Sequence, residues 1–456
     1  MSIFNNNILA GAAAQSTTTP VHTINQSIRF NDDDSATMTR TPSSGGNQKT
    51  WTLSLWFKLG NSGIKQQFDG LFSAVTSASA FVTLWVNNAT YNLDFIQYNG
   101  GTTYRVNTPL LTRDPSAWYH AVFVYDSGNL LSTERMRIYL NGERITNLYQ
   151  EAQPSLNYDS QVNATSTVHS IGRAYSSGSY SSYYFDGYMS EIVLLDGTAT
   201  DCNSFGEFNS SGIWVPKDVS GLTFGTNGFH IDGRDSADLG DDESGQGNDY
   251  TTSGLAAHDQ VLDSPTNNFC TISNINMGNA TGVTLQNGNL DGSTSGTPGN
   301  MPASISLDSG KWYWEVNNHA NGSGNNFGVG ETPTGSFDQF TRGSNGNEVN
   351  TNAKTTTGSS GQIIGFKLDF DAGTLTHTTN GTSYSSTGSL AANMAYAPHS
   401  RLGSSSGRVV FNFGQDSTFG GLETAGNNSD DNGVGDFYYS VPSGFLAICT
   451  KNLGAE

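Results

Sequence analysis

Apolar positions in this chain recur every second residue in short runs, and no run of useful length repeats them every third or fourth. In "WTLSLWFKL" (51–59), Trp51, Leu53, Leu55 and Phe57 alternate with Thr52, Ser54, Trp56 and Lys58, the period of a strand that buries one face. In "KWYWEV" (311–316), Trp312, Trp314 and Val316 alternate with Lys311, Tyr313 and Glu315. That pattern predicts a half-buried strand with its rings in a core and its charged face outward. From about Ser27 similar runs follow one another, among them "GLFSAV", "AFVTLWV", "YNLDFIQY", "WYHAVFVYD" and "FDGYMSEIVLLDG". Asn141–Gly142, set between apolar runs, predicts a hairpin whose two central residues need positive φ. A second series begins after Pro265 with "FCTIS" and continues through "IIGFKLDFDAGTLTHTTNG" and "RVVFNFG". The fold class this predicts is all-β: two antiparallel β-sandwich, jelly-roll-like domains in tandem behind a short N-terminal arm.

The expected boundaries are an arm over 1–23, a first sandwich over 24–215, an Asp/Gly-rich closing segment and connector over 216–268, and a second sandwich over 269–456. The stretches 292–300, 341–361 and 421–435 read as loops. The N-terminus has an apolar, small-residue run at Ile8–Ala14, but the first Lys or Arg is Arg29. A secretory signal needs a basic start, so an arm that docks on something else is the better reading.

Composition narrows the picture. Across 456 residues only 13% are charged, against about 25% in ordinary soluble domains, while Gly occupies 54 positions. A formal charge of −20 speaks against nucleic acid as a main partner, since that affinity comes from Lys and Arg releasing counterions. Cys202, Cys270 and Cys449 are odd in number and far apart, which fits isolated buried thiols better than disulfides or a zinc knuckle. No apolar run approaches membrane-spanning length, so no membrane insertion is expected.

Two groups of runs carry family resemblances. "GKWYWEV", "FGVG" (327–330), "IIGFKLDFDAGTLTHTTNG" (363–381), "RVVFNFG" (408–414) and "GFLAICTKNL" (444–453) together resemble a SPRY domain over about 270–456. Leu368, Asp369, Gly373, Leu375, Asn380 and Gly381 fall on that family's hairpin pattern, with His377 where an aromatic is usual. "WTLSLWFKL", "WYHAVFVYD", "IYLNGERI", "SIGRAY" and "FDGYMSEIVLLDG" are similar to concanavalin A-like, laminin G-like lectin sandwiches over about 24–215. An arm, a lectin-like sandwich and a SPRY-like module in succession resemble structural proteins of tailed marine bacteriophages.

Glucanases of the concanavalin-like fold need two carboxylates about 5 Å apart for retaining chemistry, projecting from one strand face. Here Glu191 in "MSEIVLLD" has no acid two residues away. "GSSSG" (403–407) precedes a strand rather than a helix, so it is no nucleophile elbow, and no H-x-x-x-H pair offers zinc ligands. The metal-like segment is "DSADLGDDESGQGND", where Asp235, Asp238, Asp241, Asp242 and Asp249 lie among glycines. Ca²⁺ is the cation that such an oxygen-rich loop would hold, and simple solvation is the alternative. For sugar stacking the candidates are Trp85 with Tyr91, Tyr98 and Tyr104, and the loop "YSSGSYSSYY" with Tyr175, Tyr180, Tyr183 and Tyr184. Tyrosine and serine together supply rigid contact area and adaptable polar groups.

The functional expectation is a noncatalytic virion protein, in a tail fibre or on the capsid surface. Its arm would engage other virion proteins, it would form a homo-oligomer, and it would display lectin-like domains to host-surface glycans. An inert decoration protein and a secreted polysaccharide-degrading glycoside hydrolase remain the alternatives.

Overall fold

The computed structural model describes residues 22–454 apart from 61–67, 177, 181–182, 274–281, 322–323, 333–353 and 404–405. The arm expected over 1–23 therefore lies almost wholly outside the described residues. The chain divides into two compact units, Met1–Thr266 and Asn267–Glu456, and among the described residues no helix is long and apolar enough to cross a membrane.

The first unit is a sandwich of two antiparallel sheets. In one, Glu143–Arg144, Met136–Leu140, Trp118–Asp126, Thr50–Leu59, Gly187–Asp196, Ser27–Phe30 and Gln260–Val261 lie side by side, and Phe229–Ile231 also pairs with Gly187–Asp196. In the other the order is Gln150–Ala152, Thr102–Asn107, Asn92–Asn99, Ala80–Asn87, Phe68–Ser77, Val168–Ile171, Thr37–Arg40 and Thr251–Ser253. Between them Trp51, Leu53, Leu55 and Phe57 meet Phe72, Leu84, Phe95 and Val106. The expected hairpin forms, with Asn141 at φ 48° and Gly142 at φ 86° and Leu140 opposite Glu143.

The strand Thr50–Leu59 does not have one wet face. Trp56 is packed with Trp118, Phe205, Trp214, Phe224 and Val261 in a second apolar layer on the outer side of its sheet. Lys58 is buried there too, with Nζ 2.7 Å from Asp263, whose other oxygen accepts from Trp118 Nε1 at 2.9 Å. The covering chain comes from residues 199–224 and 259–266, so of the closing segment and connector expected over 216–268, all through Thr266 closes the first unit and only 267–268 fall in the second. Its end is joined to its beginning: Ile24 N–H donates to Thr266 Oγ1 at 3.1 Å, and the Ser264 hydroxyl donates to the Ile24 carbonyl at 2.7 Å.

The second unit repeats this plan. One sheet runs Val283–Gln286, Asp291–Thr294, Gly407–Asn412, Lys311–Asn321, Gln362–Asp369, Thr374–Thr378 and Ser385–Ser389, and the other Gly299–Pro302, Ala395–Leu402, Asn326–Thr332 and Lys354–Thr357. Trp312, Trp314 and Val316 enter the core, and Trp314 stacks on Phe366 with centroids 5.1 Å apart. The opposite face, expected outward, is covered as well: Tyr313 and Glu315 are both 0% exposed. Tyr313 meets Phe437 edge to face, and Glu315 accepts the backbone N–H groups of Tyr438 and Tyr439, each at 2.8 Å. The hairpin joining Gln362–Asp369 to Thr374–Thr378 sets Leu368 opposite Leu375 and Phe366 opposite His377.

Candidate functional site

The outer face of the first unit's second sheet carries the aromatic candidates. Along Ala80–Asn87, Asn92–Asn99 and Thr102–Asn107, the residues Leu84, Val86, Leu93, Phe95 and Val106 point into the sandwich. Alternation sends Trp85, Asp94, Ile96, Arg105 and Asn107 to the other side. Register places Trp85 opposite Asp94, Asp94 opposite Asn107 and Ile96 opposite Arg105. Asp94, fully buried, becomes the hub: Trp85 Nε1 donates to Oδ2 at 2.9 Å, and Arg105 bonds both oxygens, Nε to Oδ1 at 2.6 Å and Nη2 to Oδ2 at 2.8 Å. Asn107 also donates to Asp94 and accepts from Asn92. Such a two-pronged, charge-assisted pair fixes the guanidinium plane, while 28% of the Arg105 side chain stays exposed.

The tyrosine loop lies on this same face. Ala174 N–H donates to the Tyr183 carbonyl at 2.8 Å, Tyr175 N–H to Thr83 Oγ1 at 3.1 Å, and Ser73 Oγ to the Arg173 carbonyl at 3.1 Å. Its backbone passes so close to the Phe68–Ser77 strand that a Cβ on Gly70 would sit 2.0 Å from Ala174 N and 2.3 Å from the Tyr183 carbonyl oxygen.

The loop divides the candidate residues. Tyr175 is 7% exposed and packed edge to face on Phe81. Trp85 is 5% exposed, clustered with Phe68 at 4.4 Å and Tyr183 at 6.0 Å, which also meet each other at 5.7 Å. Neither ring presents a face to a ligand; both have been spent on packing. Tyr180, Tyr183 and Tyr184 are only half-buried, and Tyr180 lies under the Arg173 guanidinium at 3.9 Å. The open part of the site is thus these three tyrosines with Arg173 and Arg105. Sequence reasoning missed Asp94, Arg105 and Asn107, because polar residues at alternate strand positions look like a solvated face. The available signal was that both "NLDFIQY" and "TTYRVN" place charge on one side.

The aspartate-rich segment proves to be a set of turns. Asp242 Oδ1 accepts from His230 N and Ser244 N, and Oδ2 from Ser244 Oγ and Asn248 N, all at 2.8–2.9 Å. Asp235 and Asp238 each accept a backbone N–H two residues on, and Asp249 accepts from Asp242 N. The Asp241 carboxyl is held above its ordinary value, first by desolvation and then by the charges of Asp249, Asp238 and Asp235. Among the described residues, these aspartates do not converge on one point as ligands; the group that does is Glu191, His230 and Asp232.

That group sits on the outer side of the first sheet. His230 Nε2 is 3.0 Å from Glu191 Oε2, and Asp232 Oδ2 accepts from Arg234 Nε at 2.7 Å. Burial pulls the His230 imidazole down, but the Glu191 hydrogen bond and charge, with Asp232, hold it above its ordinary value. Glu191 thus has acidic company that local spacing did not show. The Glu191 and Asp232 side chains are only 10% and 7% exposed, and Arg234 occupies the second carboxylate. Glycoside hydrolysis needs both carboxyl groups open to a sugar, which this arrangement does not offer.

Against known proteins, a laminin G-type profile described as the concanavalin A-like lectin/glucanases superfamily matches residues 30–202, so the first unit carries a domain of that class. Solved structures with similarity to the chain include a SPRY domain, a pentraxin and a carbohydrate-binding module. The SPRY domain of human HERC1 is 24% identical, covering 28% of this chain and 91% of its own, with a TM-score of 0.24. A heptameric SAP-like pentraxin from Limulus polyphemus is 16% identical over 40% of this chain and 80% of its own, with a TM-score of 0.29. The CBM40 module of the Ruminococcus gnavus IT-sialidase, solved with α2,3-sialyllactose, is 16% identical over 36% and 88%, with a TM-score of 0.27. No curated protein matches the chain.

Proposed function

We propose that this chain is a noncatalytic structural protein of a tailed bacteriophage particle, in a tail fibre or on the capsid surface, that displays its first unit for adhesion to host-surface glycans. The lectin-type class of residues 30–202 supports glycan binding. The observation that carries the reading is the outer face of the second sheet, which presents both Arg105, held flat by Asp94, and a loop offering Tyr180, Tyr183 and Tyr184. Partly exposed rings give stacking area, and a fixed guanidinium gives directed hydrogen bonds to hydroxyls or carboxylates. Each site would be weak, and many copies in a homo-oligomer, anchored to other virion proteins by the arm, would convert weak sites into useful avidity.

The test is a glycan array probed with the full chain, followed by titration of the best hit. Arg105→Ala and Tyr183→Ala should each weaken binding by about 10-fold or more, a loss of ~1.4 kcal/mol. Binding that both variants retain would remove the site from the proposal. No binding by the intact chain, together with purified particles that lose stability rather than attachment when it is missing, would leave the inert decoration role instead. Immunogold labelling that finds the chain on no particle would overturn the virion assignment.

A further inference from the structure

We propose that the first unit binds a divalent transition-metal ion of the zinc class through Glu191, His230 and Asp232. Their ligand atoms lie within 4.8 Å of one another. One imidazole nitrogen with two carboxylate oxygens is a donor set suited to such borderline ions, whereas Ca²⁺ would want six to eight oxygens.

The backbone is shaped to bring these residues together. In Gly187–Asp196, Met189 and Ile192 both point into the core between the sheets, so two residues rather than one lie between successive inward positions. The pairing with Thr50–Leu59 shifts register between Ser190 and Val193, which marks a bulge. Ser190 turns outward to bond the Gln26 carbonyl. The extra residue, Glu191, adopts φ 49°, a left-handed conformation that glutamate rarely takes. Bulges commonly re-aim a side chain, and here Glu191 is turned onto His230. His230 comes from Phe229–Ile231, paired so that it lies opposite Val193, and Asp232 follows directly.

Supporting partners surround the three. Arg234 holds Asp232 Oδ2 through Nε at 2.7 Å and Nη2 at 2.6 Å. The His230 backbone N–H is fixed by Asp242 at 2.8 Å, and Phe224 lies parallel to the imidazole at 6.4 Å. Hydrogen-bonded ligands of this kind are what orients a metal site. Charge also favours a cation. Among the described residues Glu191, Asp232 and Glu243 face the guanidinium of Arg234 and the imidazole of His230, with Glu243 Oε1 3.3 Å from Arg234 Nε and His230 Nε2 3.0 Å from Glu191 Oε2. Nearly buried carboxylates in excess need a compensating charge. Arg234 itself is 57% exposed, so an ion has a route in from solvent.

The experiment is calorimetric titration of the EDTA-treated full chain with ZnCl₂, beside CoCl₂ titration followed by visible absorption. The expected result is one ion per chain, cobalt d–d bands without a thiolate charge-transfer band, and a higher melting temperature with zinc. Glu191→Gln and His230→Gln should each weaken zinc by more than about 10-fold, while His258→Gln, a surface control, changes nothing. Near-UV circular dichroism shows whether each variant is folded. If one is not, Asp232→Asn and the wild-type cobalt spectrum carry the test. Absence of stoichiometric zinc and cobalt binding, a thiolate band, or saturation by CaCl₂ alone would overturn the assignment.

Discussion

Glu315 shows how a single position can invert a reading made from alternation. Beside Lys311 and Tyr313 it looks like part of a wet face, yet its carboxylate lies in the interior and accepts from Tyr438 N and Tyr439 N at 2.8 Å, Tyr313 Oη at 3.0 Å and Asn412 Nδ2 at 3.2 Å. Burial raises its pKa from 4.5 to about 7, against the opposing pull of those donors. The folded value exceeds the unfolded one, so the contribution of this group to stability is full below about 4.5 and is lost as pH rises through about 7. Glu315→Gln should remove that part of the pH dependence. It should also cost roughly 2–3 kcal/mol at pH 5, because an amide NH₂ would face the Tyr438 N–H and the Asn412 amide. Melting curves of the second unit from pH 4.5 to 7.5 measure both effects. A variant with unchanged slope and unchanged stability would show that the carboxylate does not pin the 437–439 chain.

At the scale of elements, the inward faces of the strands were legible and the outward faces were not. Trp51, Leu53, Leu55 and Phe57 occupy the core as their period implies, and so do Trp312, Trp314 and Val316. What covers Trp56 and Tyr313 is chain that is mostly irregular apart from the short ribbon of Gly206–Phe208 and Trp214–Pro216, and in it Phe205, Trp214 and Phe224, or Phe437 and Tyr438, sit at no repeating interval. Periodicity has no purchase there. The same limit hid the candidate sites: Asp94 meets Arg105 only through strand register, and Glu191 meets His230 only because a bulge aims it. The tyrosine loop was visible from composition, but not that it spends Tyr175 and Trp85 on packing. Gly70 is the point where loop and sheet touch, and its constraint is space rather than conformation. Gly70→Ala should push the loop off the sheet, destabilising the first unit by ~1–3 kcal/mol. It should also open the 173–184 segment to protease and shift Trp85 fluorescence toward that of a wet indole. Wild-type protease resistance in this variant would mean that the loop does not rest on the strand.

For the whole molecule, the decisive feature is where the first unit ends. A boundary at 215 is natural from composition, since the strand-like runs thin out there, yet the chain beyond it supplies Phe229–Ile231 and Gln260–Val261 to the first sheet. It also supplies Asp263, which sits against buried Lys58 Nζ and Trp118 Nε1. A fragment ending at 215 strips Lys58 of that carboxylate, and a buried charge that loses its partner costs about 3–5 kcal/mol, a large share of the ~5–15 kcal/mol that holds a domain folded. It also uncovers Trp56 and Trp118, which Phe224 and Val261 help to bury. Fragments 22–266 and 267–456 should therefore each unfold cooperatively with native-like near-UV circular dichroism, whereas 24–215 should aggregate or lack fixed tertiary structure. Restoring 216–266 as a separate peptide should rescue 24–215 only in part, because the bonds between Ile24 and Thr266 then form between two molecules rather than within one chain. A cooperative, soluble 24–215 fragment would show that the covering layer is dispensable and that the inter-sheet core suffices by itself.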